Sequence, residues 1–156
     1  MEEKLQTATL AGGCFWCTEA IFRRLKGVES VIPGYADGAE AVQIKFDPGL
    51  ISFEKLLEVF FALHDPTSLN RQGTDEGPQY RSAIFYHDEE QKRSAKEAKS
   101  KIAGAVTEIV PLTKFSPAES YHKDYYENNR NSGYCRIVID PKITKLYKEF
   151  GEMVTS

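Results

Sequence analysis

The stretch GGCFWC at positions 12–17 holds two cysteines, Cys14 and Cys17, directly after two glycines. A cysteine reacts as its thiolate, and a free thiol with a pKa of about 8.5 is only slightly ionised at pH 7. A strand signal before the glycines and a helical signal after them put Cys14 at a helix N-terminus, where backbone N–H groups favour the anion. We therefore predict that Cys14 is an activated nucleophile with a lowered pKa. The alternative is a small buried core residue.

Large aromatic side chains follow this cysteine directly, at Phe15 and Trp16. Either one alone is more typical of a hydrophobic core. Two aromatics beside a nucleophile can instead line an apolar pocket that accepts a methyl or thioether group. The glycines before Cys14 allow a sharp strand-to-helix turn and the close approach of a ligand.

Two other interpretations of the cysteines stay open. The spacing of Cys14 and Cys17 is that of a thioredoxin-like dithiol. A zinc-binding interaction module would need about four ligands. The remaining candidates, Cys135 and His122, are not at paired ligand spacing, and the other histidines are isolated, so we expect no metal. No phosphate-binding or dinucleotide-binding glycine pattern occurs, and we expect no cofactor.

Glu40 is the polar exception on one face of a predicted strand that otherwise carries Val42, Ile44 and Phe46. A carboxyl group among apolar side chains resists ionisation and can donate a proton near neutral pH. The alternative is a strand-end residue that faces water. Asp75 and the tyrosines at positions 35 and 80 are, by themselves, typical of turns, loops and strand ends.

Length and composition indicate a single globular domain over residues 1–156, with 41% hydrophobic and 28% charged residues. The net charge of −3 argues against nucleic-acid or membrane partners. The acidic, polar N-terminus and the short apolar run at 59–63 predict a cytoplasmic protein. Three cysteines are too few for a disulfide framework and should be reduced at rest. We expect a monomer.

The elements that must position these residues alternate between strands and helices. Strands are predicted at 5–10, 28–35, 39–46, 82–86 and 107–110. Helices are predicted at 14–26, 52–63, 88–103, 116–127 and 141–150, the fourth because Ser116, Pro117 and Glu119 fit a helix start. A long irregular stretch at 64–80 is typical of a functional loop. The mixture predicts an α+β or α/β two-layer domain.

Four segments, in order along nearly the whole chain, resemble the A-type peptide methionine sulfoxide reductase family. They are "GGCFWCTEAIF", "AEAVQIKFDP", "FFALHDPTSLNRQGTDEGPQYRSAIFY" and "NNRNSGYCRIVIDP". The resemblance implies an α+β two-layer sandwich, with a ferredoxin-like mixed sheet and helices packed on it. It also implies an oxidoreductase that repairs oxidised methionine.

By this resemblance, Cys14 attacks the sulfur of methionine S-sulfoxide, free or in peptides and proteins, and is left as a sulfenic acid. Glu40 matches the family acid, and Tyr80 matches a hydroxyl donor to the sulfoxide oxygen. Phe15 with Trp16 would hold the substrate methyl group.

The resemblance also assigns residues around and after the chemical step. Asp75 matches an aspartate of the substrate pocket. Cys135 matches a resolving cysteine, with Cys17 as the competitor for that role. Thioredoxin would reduce the resulting disulfide. From the residues alone, Cys135 is equally a partly buried thiol at the start of a strand.

The sequence departs from the family pattern directly after Gly34-Tyr35. Members commonly have a longer loop there with a second tyrosine of the oxygen site, and this chain continues at once into Ala39-Glu40. Tyr35 or water would take the place of that hydroxyl. Thr74, where the family usually has Asn, is a smaller departure.

Overall fold

The computed structural model describes residues 5–155, and its centre is a six-stranded sheet. The strands of this sheet are β1 (Gln6–Gly12), β2 (Val28–Ala36), β3 (Ala39–Phe46), β6 (Ser82–Tyr86), β7 (Glu108–Pro111) and β8 (Phe115–Pro117). Their order is β7-β6-β1-β3-β2-β8; the β6–β7 pair is parallel and the other neighbours are antiparallel. Two short strands, β4 (Arg71–Gln72) and β5 (Asp75–Glu76), form a separate hairpin.

Helices pack on this mixed sheet and complete a two-layer α+β arrangement, which confirms the predicted fold class. They are α1 (Phe15–Phe22), α2 (Phe53–Leu63), α3 (Glu89–Ser100), α4 (Tyr125–Asn128) and α5 (Asp140–Phe150). The main core lies between the sheet and the helices, with Leu10 and Ile44 from the sheet against Phe22 and Leu57 from the helices. Within residues 5–155, no helix has the length and apolar character needed to cross a bilayer.

Local sequence signals explain most of these elements. The predicted hairpin of residues 28–35 and 39–46 is confirmed, and its turn uses Asp37 and Gly38 at positive φ, as such turns require. Ser52 and Asp88 accept N–H groups at the starts of α2 and α3, at 3.1 and 2.8 Å, as N-caps do. The strand at 82–86 and the last helix are also confirmed.

The helix predicted at 116–127 is wrong. Residues Phe115–Pro117 form β8 instead, with Pro117 opposite Gly34 of β2, and the Ala118 N–H donates to the Pro33 carbonyl at 2.9 Å. Pairing with an otherwise open strand outweighs the local helix signal, and proline is tolerated because this strand lies at the edge of the sheet. A 3-10 turn, Ser120–His122, and the short α4 follow.

Candidate active site

The site begins at the turn between β1 and α1. Cys14 is the N-cap residue with extended backbone angles, and its carbonyl accepts the N–H groups of Cys17 and Thr18 at 3.1 and 3.3 Å. The predicted helix start is therefore confirmed. Gly13 has φ +95°, and a Cβ there would lie 2.6 Å from the Gln72 Cγ. The turn predicted at the glycines is therefore confirmed, and Gln72 takes the space at Gly13 that was predicted for a ligand.

Glu40 of β3 occupies the hydrogen-bonding position at this helix start. Its Oε1 accepts the N–H of Phe15, the residue after Cys14, at 3.1 Å. Burial raises the pKa of Glu40, the Phe15 N–H lowers it, and the charge of Asp75 raises it, so that the net shift is upward. A half-buried carboxyl that holds its proton more readily than usual thus lies beside Cys14.

The predicted lowering of the Cys14 pKa is wrong for this arrangement. A hydrogen bond to Cys17 raises the pKa of Cys14, and burial and the charge of Cys17 act in the same direction. The same hydrogen bond lowers the pKa of Cys17 to about 7 against the effect of burial, with Lys142 and Tyr134 also lowering it. The helix N–H that was expected to stabilise Cys14 is taken by Glu40. The ionisation of the two thiols is therefore linked through their hydrogen bond.

Trp16 is enclosed by three side chains from distant parts of the chain. Its indole N–H donates to His122 Nδ1 at 3.0 Å. Tyr125 stacks on the indole with ring centroids 3.7 Å apart and an interplanar angle of 7°, and Tyr134 contacts it edge-on at 5.6 Å. The orientation of the indole is therefore fixed from its edge and from one face. The Phe15 ring lies beside it, 5.1 Å from the His122 ring.

The loop at 64–80 brings Asp75 and Tyr80 to the same region. Asp75 is in the short strand β5, and its Oδ2 accepts the Tyr134 hydroxyl at 2.8 Å. That hydroxyl is also 3.8 Å from the Cys17 sulfur. Burial raises the pKa of Tyr80, and the charges of Glu40, Asp75 and Cys14 raise it as well. Tyr80 therefore keeps its phenolic proton beside these three groups.

Tyr35 lies directly opposite Glu40 in the β2–β3 register, so that the two side chains are on the same face of the sheet. Its ring centroid is 5.5 Å from that of Phe15, and it is 37% exposed. Burial raises the pKa of Tyr35, with the charges of Glu119 and Glu40 acting in the same direction. A protonated hydroxyl is thus available on the strand next to Glu40.

Cys135 is buried in one cluster with Cys14 and Cys17, and all three thiols are free. It starts a π-helical segment, Cys135–Ile139, that continues into α5, so the alternative of a partly buried thiol at a strand start is wrong. Its N–H donates to Ser132 Oγ at 3.1 Å. The polar segment before it therefore folds into a capped turn.

Every residue that the sequence predicted for the site lies in this region. Each one contacts another member directly, belongs to the same buried cluster, or is close enough for its charge to shift the pKa of another member. They are Cys14, Phe15, Trp16, Cys17, Tyr35, Glu40, Asp75, Tyr80 and Cys135. His122, Tyr125 and Tyr134 were missed. Tyr134 directly precedes Cys135 in the sequence, and that position could have identified it as a site residue. No sequence pattern near His122 or Tyr125 connects them with Trp16. Among residues 5–155, no group of three or more His, Cys, Asp or Glu side chains is arranged to hold a metal.

Comparison with known proteins identifies the class to which this fold and site belong. The family model described as peptide methionine sulfoxide reductase matches residues 6–153. The peptide methionine sulfoxide reductase MsrA 1 of Rhodopirellula baltica is 49% identical, over 96% of this chain and 89% of that protein. The chain therefore belongs to the peptide methionine sulfoxide reductase family.

Solved structures agree with this assignment. Mxr1 from Saccharomyces cerevisiae in reduced form superposes with a TM-score of 0.78 at 32% identity, covering 85% of this chain and 90% of that one. The same yeast protein in complex with Trx2 superposes with a TM-score of 0.55 at 28% identity, covering 78% and 85%.

Proposed function

We propose that this enzyme reduces methionine S-sulfoxide with Cys14 as the nucleophile and Glu40 as the proton donor. The activity follows from family membership, and the residue roles rest on the geometry of the site. The observation that carries them is the hydrogen bond from the Phe15 N–H to Glu40, which holds a carboxyl of raised pKa beside Cys14. Oxygen is a poor leaving group unless it is protonated, and this carboxyl can supply the proton.

The thiol pair supports a route to the nucleophile. The hydrogen bond between the Cys14 and Cys17 thiols raises the pKa of Cys14 and lowers that of Cys17, and we infer that the singly ionised pair shares one proton. Transfer of that proton from Cys14 to Cys17 makes Cys14 the thiolate without any external base. Cys17 is then a proton acceptor as well as a candidate resolving residue.

Two tyrosines support binding of the sulfoxide oxygen. Tyr80 retains its phenolic proton next to Glu40 and Cys14, as the raised pKa indicates. Tyr35 lies across from Glu40 and supplies the second hydroxyl that the missing loop provides in other members. We infer that both donate to the oxygen while Glu40 transfers its proton.

The aromatic contacts support recognition of the substrate methyl group. Trp16 provides apolar surface in the cluster of Cys14, Phe15 lies buried directly after Cys14, and the His122 and Tyr125 contacts hold the indole rigidly. Asp75 acts through Tyr134, whose hydroxyl it accepts. A rigid apolar pocket favours a methyl group over a hydrated polar one.

The proposed reaction proceeds in three steps. The Cys14 thiolate attacks the sulfoxide sulfur while Glu40 protonates the oxygen, so that a sulfur–sulfur bond forms and the sulfur–oxygen bond breaks with release of hydroxide. Attack of hydroxide on the Cys14 sulfur then breaks the sulfur–sulfur bond, methionine leaves with that electron pair, and Cys14 is left as a sulfenic acid. A second thiol attacks that sulfur and releases water, which leaves a disulfide. Cys135 is proposed for this step, with Cys17 as the alternative, since both belong to the same cluster. Thioredoxin then reduces the disulfide, as the complex of the yeast relative with Trx2 suggests.

Oligomeric state, compartment and cellular role belong to the same proposed function. We propose a single-domain monomer, which fits the one continuous six-stranded sheet, and a reducing compartment such as the cytoplasm, which fits three free thiols. The role would be repair of methionine oxidised under oxidative stress. A thioredoxin-like dithiol enzyme based on Cys14 and Cys17 is not favoured, because the relatives are methionine sulfoxide reductases.

One turnover without reductant tests the mechanism. Reduced enzyme is mixed with excess methionine S-sulfoxide, the methionine formed is quantified, and disulfides are mapped by mass spectrometry after rapid alkylation. We expect one methionine per enzyme and a Cys14–Cys135 disulfide. A Cys14–Cys17 disulfide would assign resolution to Cys17, and absence of methionine would contradict the proposed function itself.

A further inference from the structure

Glu19 is an acidic residue in the buried part of α1. It is only 2% exposed, and both of its carboxylate oxygens accept the same backbone N–H, that of Asp124, at 2.9 Å each. A buried carboxylate is costly unless it is compensated by hydrogen bonds or charges. The residue therefore contributes something at Asp124 that an apolar side chain would not.

Asp124 has a backbone conformation that needs support. Its φ of 57° and ψ of 29° are left-handed, which is unfavourable for a residue with a Cβ, and it precedes α4 without capping it through its side chain. Its carboxylate pairs with Arg23 at 2.6 Å. The C-terminal part of α1 and the residue after it thus hold Asp124 by both backbone and side chain.

The segment held in this way carries two contacts of Trp16. His122 precedes Asp124 by two residues and accepts the indole N–H, and Tyr125 follows it and stacks on the indole. Trp16 and Glu19 are three residues apart on α1 and therefore lie on neighbouring parts of one helix surface. Loss of the Glu19 contact would release the backbone between the two groups that orient the indole.

We propose that Glu19 is a positioning residue that fixes the Trp16 indole through the backbone of Asp124. Glu19 touches none of the reacting atoms and acts on substrate binding through His122 and Tyr125. This inference rests on the proposed function, because it takes the indole as part of the pocket for the substrate methyl group.

The charge state of Glu19 makes this role depend on pH. Burial raises the pKa of Glu19 to about 7, the charge of Asp124 acts in the same direction, and the Asp124 N–H acts against it. The charged groups on the segments packed around it are Arg23, Arg24, Lys123, Asp124 and Glu127. Below pH 7 the carboxyl becomes neutral and a weaker acceptor, so the contact weakens and KM should rise as pH falls.

Fluorescence gives a direct test, since Trp16 is the only tryptophan of the chain. Emission of the wild type and of Glu19→Gln is compared between about pH 5.5 and 8.5, a range that brackets the Glu19 transition. We expect a wild-type transition with a midpoint near pH 7 that is absent in Glu19→Gln, because the amide accepts the N–H but does not titrate. A transition that persists in Glu19→Gln would come from another group and would overturn the proposal.

Kinetics provide the second test, with methionine S-sulfoxide as substrate and dithiothreitol as reductant. At pH 8, Glu19→Ala should raise KM about tenfold and change kcat less than about threefold, as loss of a charge-assisted hydrogen bond in binding predicts. Glu19→Gln should stay within about threefold of the wild-type KM, because it keeps an acceptor. An unchanged KM in Glu19→Ala, or a loss confined to kcat, would contradict the proposal.

Glu127→Gln is the matched control, since Glu127 also links α4 to the end of α1, through Arg24 at 2.7 Å, without contacting Asp124. For this control we expect the wild-type KM and the wild-type fluorescence transition. A KM increase equal to that of Glu19→Ala would show that any loosening of the packing between α1 and α4 impairs binding, and it would contradict the specific role of Glu19. If Glu19→Ala does not fold, the fluorescence of Glu19→Gln decides. Failure of the proposed function is distinct, because the wild type itself would then not reduce the sulfoxide.

Discussion

Two carboxyl groups with raised pKa values each accept a backbone N–H at or next to α1, and they differ in their surroundings. Glu40 accepts the N–H of Phe15 at the start of the helix, and Glu19 accepts the N–H of Asp124 from within it. Burial is the main cause of the raised pKa in both cases. Only Glu40 is beside Cys14 and partly open to solvent. A raised pKa thus identifies an acid that is shielded from water, and it does not tell whether that acid donates a proton or positions a neighbouring segment. The groups around the carboxyl distinguish these two proposed roles.

The largest effect should come from the nucleophile next to Glu40. Cys14→Ser should lose methionine S-sulfoxide reduction by about 10,000-fold or more, because a serine hydroxyl does not replace the thiolate. The rate of methionine release with dithiothreitol measures this. Cys135→Ser is the control and should retain turnover with dithiothreitol, because this reductant reduces the Cys14 sulfenic acid without a second protein thiol. Retained turnover in Cys14→Ser would remove the basis for assigning the acid role to Glu40.

The next effect separates the two carboxyl groups. Glu40→Gln should lower kcat by about 100- to 1,000-fold, since the amide cannot donate a proton to the departing oxygen. The equivalent change, Glu19→Gln, should leave kcat within about threefold at pH 8. Wild-type kcat should also fall as pH rises through the raised pKa of Glu40, because the protonated carboxyl is the active form, and Glu40→Gln should lack this decrease. Equal kcat losses in the two variants would abolish the distinction.

A smaller effect is expected for the thiol proposed to convert the Cys14 sulfenic acid into a disulfide. Cys135→Ser should slow thioredoxin-dependent turnover by about tenfold or more, because the disulfide that thioredoxin reduces would not form. The yield of methionine in a single turnover should not change. If instead Cys17→Ser shows the thioredoxin defect and Cys135→Ser does not, the resolving role belongs to Cys17.

The smallest effect is expected at the oxygen site. Tyr35→Phe should lower kcat about three- to tenfold, which corresponds to the loss of one hydrogen bond to the sulfoxide oxygen. Steady-state kinetics on methionine S-sulfoxide measure it, with Tyr86→Phe, in β6 three strands away from β2, as a control for the loss of a hydroxyl. A wild-type rate in Tyr35→Phe would indicate that water, and not Tyr35, is the second hydrogen-bond donor to the sulfoxide oxygen.

Sequence reasoning worked where the determinants are local. The β2–β3 hairpin follows from alternation and the Asp37-Gly38 turn, and the start of α1 follows from the glycines before Cys14. It failed where tertiary partners decide. Residues 115–117 pair with β2 against their helix signal, and the helix N–H expected to stabilise Cys14 goes to a carboxyl from β3.

The contacts of Trp16 show the same limit of sequence-based prediction for the proposed site. His122 is 106 residues away from the indole it contacts, and no pattern near either residue signals the pair. No local pattern singles out Glu19, because its burial depends on the packing of Asp124 against α1. The residues proposed for the chemistry could be predicted by motif, whereas the residues proposed to position them could not.

The proline of β8 has a counterpart on the other outer strand of the sheet. β7 ends at Pro111, and β8 ends at Pro117, so both outer strands lack a backbone donor at one position. An outer strand with an incomplete row of N–H groups is a poor template for strand addition by another molecule, which is how sheets aggregate. Oxidation of methionine disrupts cores and exposes chain segments that are prone to such pairing. An enzyme with the proposed role in repair would therefore approach such chains with little tendency to coaggregate.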